Sequence, residues 1–212
     1  MLYRLMQIAV SIEPFLAAEK SKLIQYIEKI VQLKQKHGHV CMHFDYFRPN
    51  PEIFSLVQSY TQKIEIDLHL MQEPAPSVEG FRSVSVDVND WQKPKLAYNL
   101  RKIGSSGRGL VLDLGCEIKG YEDLIRAANY VIIMTVKCGK SGQVLQASAL
   151  ELIPQVRRLN PDVIIIVDGG VNENNINLLK NAGVDIAVVG NYAKKCYENG
   201  NLAIGINRLL HN

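Results

Sequence analysis

Apolar positions along the chain alternate between two rhythms. Short runs rich in β-branched residues read as strands, and longer stretches with an apolar residue every third or fourth position read as helices. The strand pattern falls on residues 5–11, 40–45, 64–71, 83–88, 109–114, 130–136, 163–168 and 185–190. The helical pattern falls on 17–36, 51–63, 93–103, 121–128, 147–159, 173–182 and 201–211. Residues 72–82 hold two prolines and a glycine and read as a loop or a single turn. Local chemistry agrees with these bounds. Asn50-Pro51 is an N-cap followed by proline at the first helical position, Asn172 opens another helix, and Gly38 and Gly183 close two.

The run Val163-Ile164-Ile165-Ile166-Val167 is apolar at every position. Such a strand is covered on both faces, as in a parallel sheet flanked by helices. Strand–helix alternation repeated eight times predicts a (β/α)8 TIM barrel, an α/β fold. An open doubly wound sheet is the rival, but no GxGxxG follows the first strand. No linker or low-complexity stretch divides residues 1–212, so one domain is expected.

Composition narrows the functional classes. The net charge of +3 is small. The lysines of 29–36 and 93–102 read as solvated helix faces, so no nucleic-acid partner is expected. Cys41, Cys116, Cys138 and Cys196 form no CxxC pair, which favours reduced thiols and a cytoplasmic location. The apolar stretch 1–10 is too short for a signal peptide, and no run approaches the ~18 residues of a membrane span. Faces bearing Phe54, Tyr60 and Trp91 are candidates for pairing subunits in a homo-oligomer.

Three strand ends carry ligand-type side chains: Met42-His43-Phe44-Asp45, Asp67-Leu68-His69-Leu70-Met71 and Ile166-Val167-Asp168-Gly169-Gly170. Residues two apart on a strand share a face, so His43 and Asp45 project together. In a closed parallel barrel His43, Asp45, His69 and Asp168 converge at the C-terminal mouth, where barrel chemistry sits. Two imidazoles and two carboxylates suit one divalent metal, Zn²⁺, Fe²⁺ or Mn²⁺. An isolated strand-end Asp more often caps the next loop.

These segments resemble the ribulose-phosphate 3-epimerase family. The opening strand Ile8-Ala9-Val10-Ser11-Ile12, the DxHLM segment at 67–71, the stretch 131–143 and Val167-Asp168-Gly169-Gly170-Val171-Asn172 all look like that family's motifs. The similarity covers nearly the whole chain and is strongest from Tyr130 to Asn191. It implies metal-dependent 3-epimerisation of a ketose phosphate, such as ribulose 5-phosphate to xylulose 5-phosphate or a related hexulose phosphate. Proton transfer by two carboxylates would pass through an enediolate whose oxygens the metal stabilises. By this match Asp45 and Asp168 are the acid–base pair, and His43, Asp45, His69 and Asp168 hold the metal. Ser11, Met71 and Met134 would line the substrate site. Gly139, Gly142, Gly169, Gly170, Gly190 and Asn191 would surround the phosphate, with a helix N-terminus behind strand eight.

The chain departs from the family in several places, among them a truncated helix before strand four and Asn191 where the family commonly has serine. The family's His-x-Asp-x-Met-Asp-Gly turn is shortened by about four residues, because Asp45 is followed at once by Tyr46-Phe47-Arg48-Pro49-Asn50. An ungapped alignment would put His39 and Cys41 at the metal positions; His43 and Asp45 keep the residue types and lie nearer the strand end. The family's strand-four histidine and glutamate are absent from Ser85-Val86-Asp87-Val88-Asn89. The sixth loop Asn-Pro-Gly-Phe-Gly-Gly becomes Lys137-Cys138-Gly139-Lys140-Ser141-Gly142. These changes keep a second class open, a phosphate-sugar-binding protein of the same fold without catalysis. A lyase or decarboxylase of the phosphate-barrel kind is disfavoured, since Asp67-Leu68-His69 lacks the strand-end lysine such enzymes use.

Overall fold

A computed structural model describes residues 5–71, 77–88, 107–138 and 142–211. Eight parallel strands close on themselves in sequence order: β1 (Gln7–Ser11), β2 (Val40–Tyr46), β3 (Ile66–Leu70), β4 (Ser83–Asp87), β5 (Gly107–Leu112), β6 (Tyr130–Met134), β7 (Ile164–Asp168) and β8 (Ile186–Val189). β1 pairs with both β2 and β8, which completes the (β/α)8 barrel the pattern predicts. The described helices are α1 (Lys20–His37), α2 (Pro51–Gln58), α3 (Glu122–Ala127), α4 (Leu152–Leu159), α5 (Ile176–Asn181), α6 (Asn191–Glu198) and α7 (Leu202–His211). The expected helix at 93–103 lies outside the described residues.

Several boundaries move for identifiable reasons. α2 starts where expected, with Asn50 Oδ1 accepting from Ile53 N at 3.1 Å. It stops at Gln58 because hydroxyls then compete for its carbonyls: Ser59 Oγ donates to Leu56 O and Thr61 Oγ1 to Gln58 O. Residues 147–151 form a 3₁₀ turn before α4, and Pro154, with no N–H, cannot join a regular ladder through that first turn. α5 starts at Ile176 because the Asn172 and Asn175 side chains close a local turn first, onto Asn174 N and Asn172 N. α6, directly after Gly190, supplies the helix N-terminus expected behind strand eight; the apolar periodicity gives bounds only for the helix that follows it.

Apolar side chains fill two compartments. The larger lies between the barrel and its helices, where Ile8, Val10, Leu68, Val84, Ile165 and Val167 meet α-helical residues such as Leu23, Ile27 and Val156. The smaller fills the barrel interior with Ala9, Cys41, Val111, Ile132, Ile166 and Val188. Period-two alternation therefore sends the odd residues of β2 and β3 inward: Cys41, His43 and Asp45, then Asp67 and His69. The interior of β1–β4 is mostly polar and that of β5–β8 mostly apolar. At the N-terminal end Asp67 is held by Arg82 Nε at 2.9 Å, by Arg82 Nη2 and by Ser83 Oγ at 2.6 Å. Arg82 Nη1 continues to Gln7 Oε1 at 2.8 Å, and Nη2 also meets Cys41 Sγ. The floor of the barrel is thus a buried polar network.

Phe54 and Tyr60 are buried within this chain, in the layer beneath α2, and offer no face to a second subunit. Phe54 packs on Phe44, Tyr46 and Phe81. Trp91 lies outside the described residues.

Candidate active site

The C-terminal mouth gathers the ligand-type residues. His43 and His69 are fully buried, Asp45 is nearly so, and Asp168 stands at the end of β7. His43 Nε2 lies 3.2 Å from Asp45 Oδ1 and 3.8 Å from Asp168 Oδ2. His69 Nδ1 lies 3.1 Å from the same Asp45 Oδ1. Ser11 Oγ reaches Asp45 Oδ2 at 3.5 Å. Register explains the convergence. Asp45 is paired with His69 across β2–β3, and His43 with Ser11 across β1–β2.

The alternative metal positions are not in this layer. His39 is exposed at the start of β2, and Cys41 lies one step deeper, against Arg82 and Ile8 O. The shortened connection after β2 leaves the His43–Asp45 face intact.

The electrostatics of the four groups are coupled. Burial pushes the His43 imidazolium down, but Asp45 and then Asp168 outweigh it and raise the group to about 9. Burial pushes the Asp45 carboxyl up, but His43 and His69 hold it far below the ordinary carboxylate range. Asp168 goes the other way. Burial raises it, the imidazoles only partly offset this, and the Asp45 charge adds to the rise, leaving it at about 6. Two carboxylates at one centre are therefore pushed apart, one firmly ionised and one able to hold a proton near neutrality.

Above this centre opens a cavity of about 490 Å³. Ser11, Asp45, Met71, Met134 and Asp168 form its base. Gly142, Gly169, Gly170, Gly190 and Asn191 line its other side, at the loops after β6, β7 and β8. Gly139 lies outside the described residues. The start of α6 stands at that side, directly after Gly190. Thr135 pins loops six and seven together, donating from Oγ1 to Asp168 O at 2.9 Å and to Gly169 O at 2.6 Å. Asn172 Nδ2 and Asn175 Nδ2 both donate to Gly170 O, at 2.9 and 3.0 Å.

Some residues at the mouth escaped the sequence reading. Glu13, Phe47 and Lys195 line the cavity, yet none carries a motif; only the loop positions after β1 and β2 and the last turn of α6 mark them. Asp87, Asp113 and Cys138 bring ligand atoms within 4.8 Å of one another at the ends of β4, β5 and β6. Cys138 Sγ lies 3.2 Å from Asp113 Oδ1, and burial together with nearby carboxylates pushes that thiol well up. The altered strand four and the altered sixth loop thus meet at one point.

The chain matches the Ribulose-phosphate 3 epimerase family over residues 7–193. It belongs to that family. The epimerase is similar to the ribulose-phosphate 3-epimerase of Aquifex aeolicus (strain VF5), with 30% identity over 178 residues that span 76% of this chain and 80% of the relative. It is 30% identical to that of Bacillus subtilis (strain 168) over 175 residues, 74% of this chain and 80% of the relative. Among solved structures, a tryptophan synthase alpha-subunit from Pyrococcus furiosus superposes with a TM-score of 0.70 at 12% identity, covering 98% of both chains. That likeness concerns the barrel alone. The epimerase is accordingly an isomerase of carbohydrate metabolism. Among its described residues, no helix is long and apolar enough to cross a membrane.

Proposed function

We propose that this epimerase inverts C3 of a ketose phosphate, with ribulose 5-phosphate and xylulose 5-phosphate as the first candidates and a hexulose phosphate as a longer relative. The observation that carries the reading is the approach of both Asp45 and Asp168 to His43 Nε2, at 3.2 and 3.8 Å, with opposed proton affinities. A C–H beside a carbonyl is a weak acid. Inversion needs a base on one face of that carbon and an acid on the other. Asp45, held ionised, takes the proton; Asp168, which binds a proton near neutrality, returns one from the opposite side. In the reverse direction the roles exchange.

The donor set fits one divalent cation, Zn²⁺, Fe²⁺ or Mn²⁺. His43, Asp45 and His69 place ligand atoms within 4.8 Å of one another, and Asp168 Oδ2 approaches from β7. The nitrogens turned toward the carboxylates, His43 Nε2 at 3.2 Å and His69 Nδ1 at 3.1 Å from Asp45 Oδ1, are the ones an ion would take. Two imidazoles and two carboxylates are a donor set that such ions take. Bound there, the ion would supply a Lewis acid for negative charge developing on substrate oxygens.

The remaining residues bind and exclude. Met71 and Met134 wall the reacting carbon from water. Gly142, Gly170 and Gly190 let a phosphate approach the backbone, and the first turn of α6 offers it unpaired N–H groups. The reading includes residues 1–212 as one catalytic domain, a cytoplasmic homo-oligomer acting on a small sugar phosphate, with no nucleic-acid or membrane partner.

The deciding experiment is metal analysis of the purified protein together with NMR of ribulose 5-phosphate incubated in D₂O. Deuterium at C3 and accumulation of the xylulose isomer are expected. Absence of exchange with Zn²⁺, Fe²⁺ and Mn²⁺ each supplied would overturn the reading; ligand-induced stabilisation without exchange would leave a binding protein.

A further inference from the structure

The charges around the cavity are divided. Among the described lining residues the anions are Glu13, Asp45 and Asp168, and the cations are Lys137 and Lys195. Lys137 follows β6 and Lys195 lies on α6, so both belong to the side where the glycine loops gather. Glu13 comes from the other direction. It begins the 3₁₀ turn Glu13–Phe15 directly after β1.

That turn fixes the backbone from which the side chain leaves. Pro14 follows immediately, and proline restricts its own φ and the residue before it. The Glu13 N–H donates to Ser11 Oγ at 3.1 Å, and Leu16 N donates back to Glu13 O at 3.1 Å. Ser11 in turn contacts Asp45. Glu13 is half-buried and lines the same cavity as Asp45 and Asp168, and its charge adds to the rise at Asp168. Lys194 of α6 is the cation that opposes it, and Lys194 is itself 3.9 Å from Glu198. A carboxylate in such a place accepts hydrogen bonds from hydroxyl groups and repels a second anion.

The geometry points to Glu13 as the residue that restricts this site to ketoses carrying a single anionic group: it binds hydroxyls next to the reacting carbon and rejects a second phosphate there. The inference rests on the sugar-phosphate reading above and adds to it a residue that sets specificity. The proton-transfer step does not need Glu13.

Glu13→Gln keeps the size and the hydrogen-bonding capacity and removes the charge; Glu13→Asp keeps the charge. Dissociation constants for ribulose 5-phosphate and ribulose 1,5-bisphosphate, measured by calorimetry on wild type and both variants, test the idea. Wild type should prefer the monophosphate, and Glu13→Gln should narrow that preference by about tenfold, the effect of one like-charge contact. Glu13→Asp should retain most of it. An unchanged ratio in Glu13→Gln overturns the assignment, as does a wild type that binds the bisphosphate equally well. If wild type binds neither sugar and shows no C3 exchange, the functional reading falls as well. Exchange in wild type with an unchanged ratio in Glu13→Gln removes the Glu13 role alone.

Discussion

Asp45 and Asp168 sit on strands that are not neighbours, β2 and β7, yet both reach the same atom, His43 Nε2, at 3.2 and 3.8 Å. Closure of the barrel makes this possible, since residues at the same height on distant strands face one another across the interior. The two carboxylates differ in surroundings. Asp45 has two imidazoles and the Ser11 hydroxyl, whereas Asp168 is reached by one imidazole at longer range.

Replacement of either carboxylate should therefore abolish turnover with opposite effects on the fold. Asp45→Asn and Asp168→Asn each remove one proton carrier, an expected loss of about 10²–10⁴-fold in kcat. Asp45→Asn leaves the His43 charge without its main partner and should lower the melting temperature of the metal-free protein. Asp168→Asn removes a carboxylate that is costly to ionise and should leave that temperature unchanged or higher at pH 7. Kinetics with thermal denaturation of both variants checks this; equal destabilisation would contradict the electrostatic asymmetry.

The metal-free protein should lose stability as pH rises from about 6.5 to about 9. His43 has an ordinary value of 6.5 and is raised to about 9 in the folded chain. The native state then binds more protons than the unfolded state across this window, so stability falls with rising pH. The contribution is complete below 6.5 and lost above 9. Melting temperatures of chelator-treated protein across pH 6–9.5 should decline, and His43→Asn should flatten the decline; a curve that rises there would be incompatible with the cluster described.

Metal uptake should release protons. Ligating imidazoles must be neutral, while His43 is held protonated at pH 7 by its carboxylates. Titrating Zn²⁺ into chelator-treated protein in weak buffer should release about one proton per ion bound, with the melting temperature rising as the site fills. His69→Ala should lower metal affinity by at least about tenfold. Uptake without proton release would mean that the ion binds elsewhere, for which the Asp87–Asp113–Cys138 group is an evident comparison through Cys138→Ser.

The barrel floor makes a separate prediction about stability. Asp67 is fully buried and its carboxylate is held by Arg82 and Ser83. Arg82→Met strands that charge and should cost about 3–5 kcal/mol. For a chain of this length that is a drop of roughly 6–20 °C in melting temperature. Asp67→Leu with Arg82→Met should recover most of the loss. If Arg82→Met alone is neutral, the network is not holding the strands together.

Much of this architecture is legible from residue order, and the failures have physical causes. β7 is read correctly because Val163 to Val167 are apolar at every position, and β2 to β4 because apolar residues alternate with polar ones. His43, Asp45, His69 and Asp168 were placed together by period two and barrel closure alone. Helix ends were harder. The Ser59 and Thr61 hydroxyls and the Asn172–Asn175 side chains redirect backbone hydrogen bonds in ways that apolar periodicity does not record. Phe54 and Tyr60 were read as a subunit face, but aromatic residues on a helix say nothing of which neighbour covers them. Glu13 carries no pattern at all. Its importance depends on a turn that only the folded chain reveals.

The junction of loops six and seven gives the last prediction. Gly170 has φ +67°, and a Cβ there would lie 2.4 Å from Leu145 N and 2.8 Å from Gln143 O. Both are backbone atoms, so neither can swing aside. Gly170→Ala must push loop six away from loop seven, whose Gly170 carbonyl is held by Asn172 and Asn175. Gly183 has a similar φ of +82° but open space around it, so Gly183→Ala carries the backbone strain without the collision. The two variants separate strain from site damage. Both should lose about 1–3 kcal/mol of stability, but only Gly170→Ala should raise KM for the sugar phosphate, by about tenfold or more, as a misplaced phosphate loop requires. Steady-state kinetics on both, with inorganic phosphate as a competitive probe, measures this. An equal KM in the two variants would place the phosphate away from the Gly170 loop.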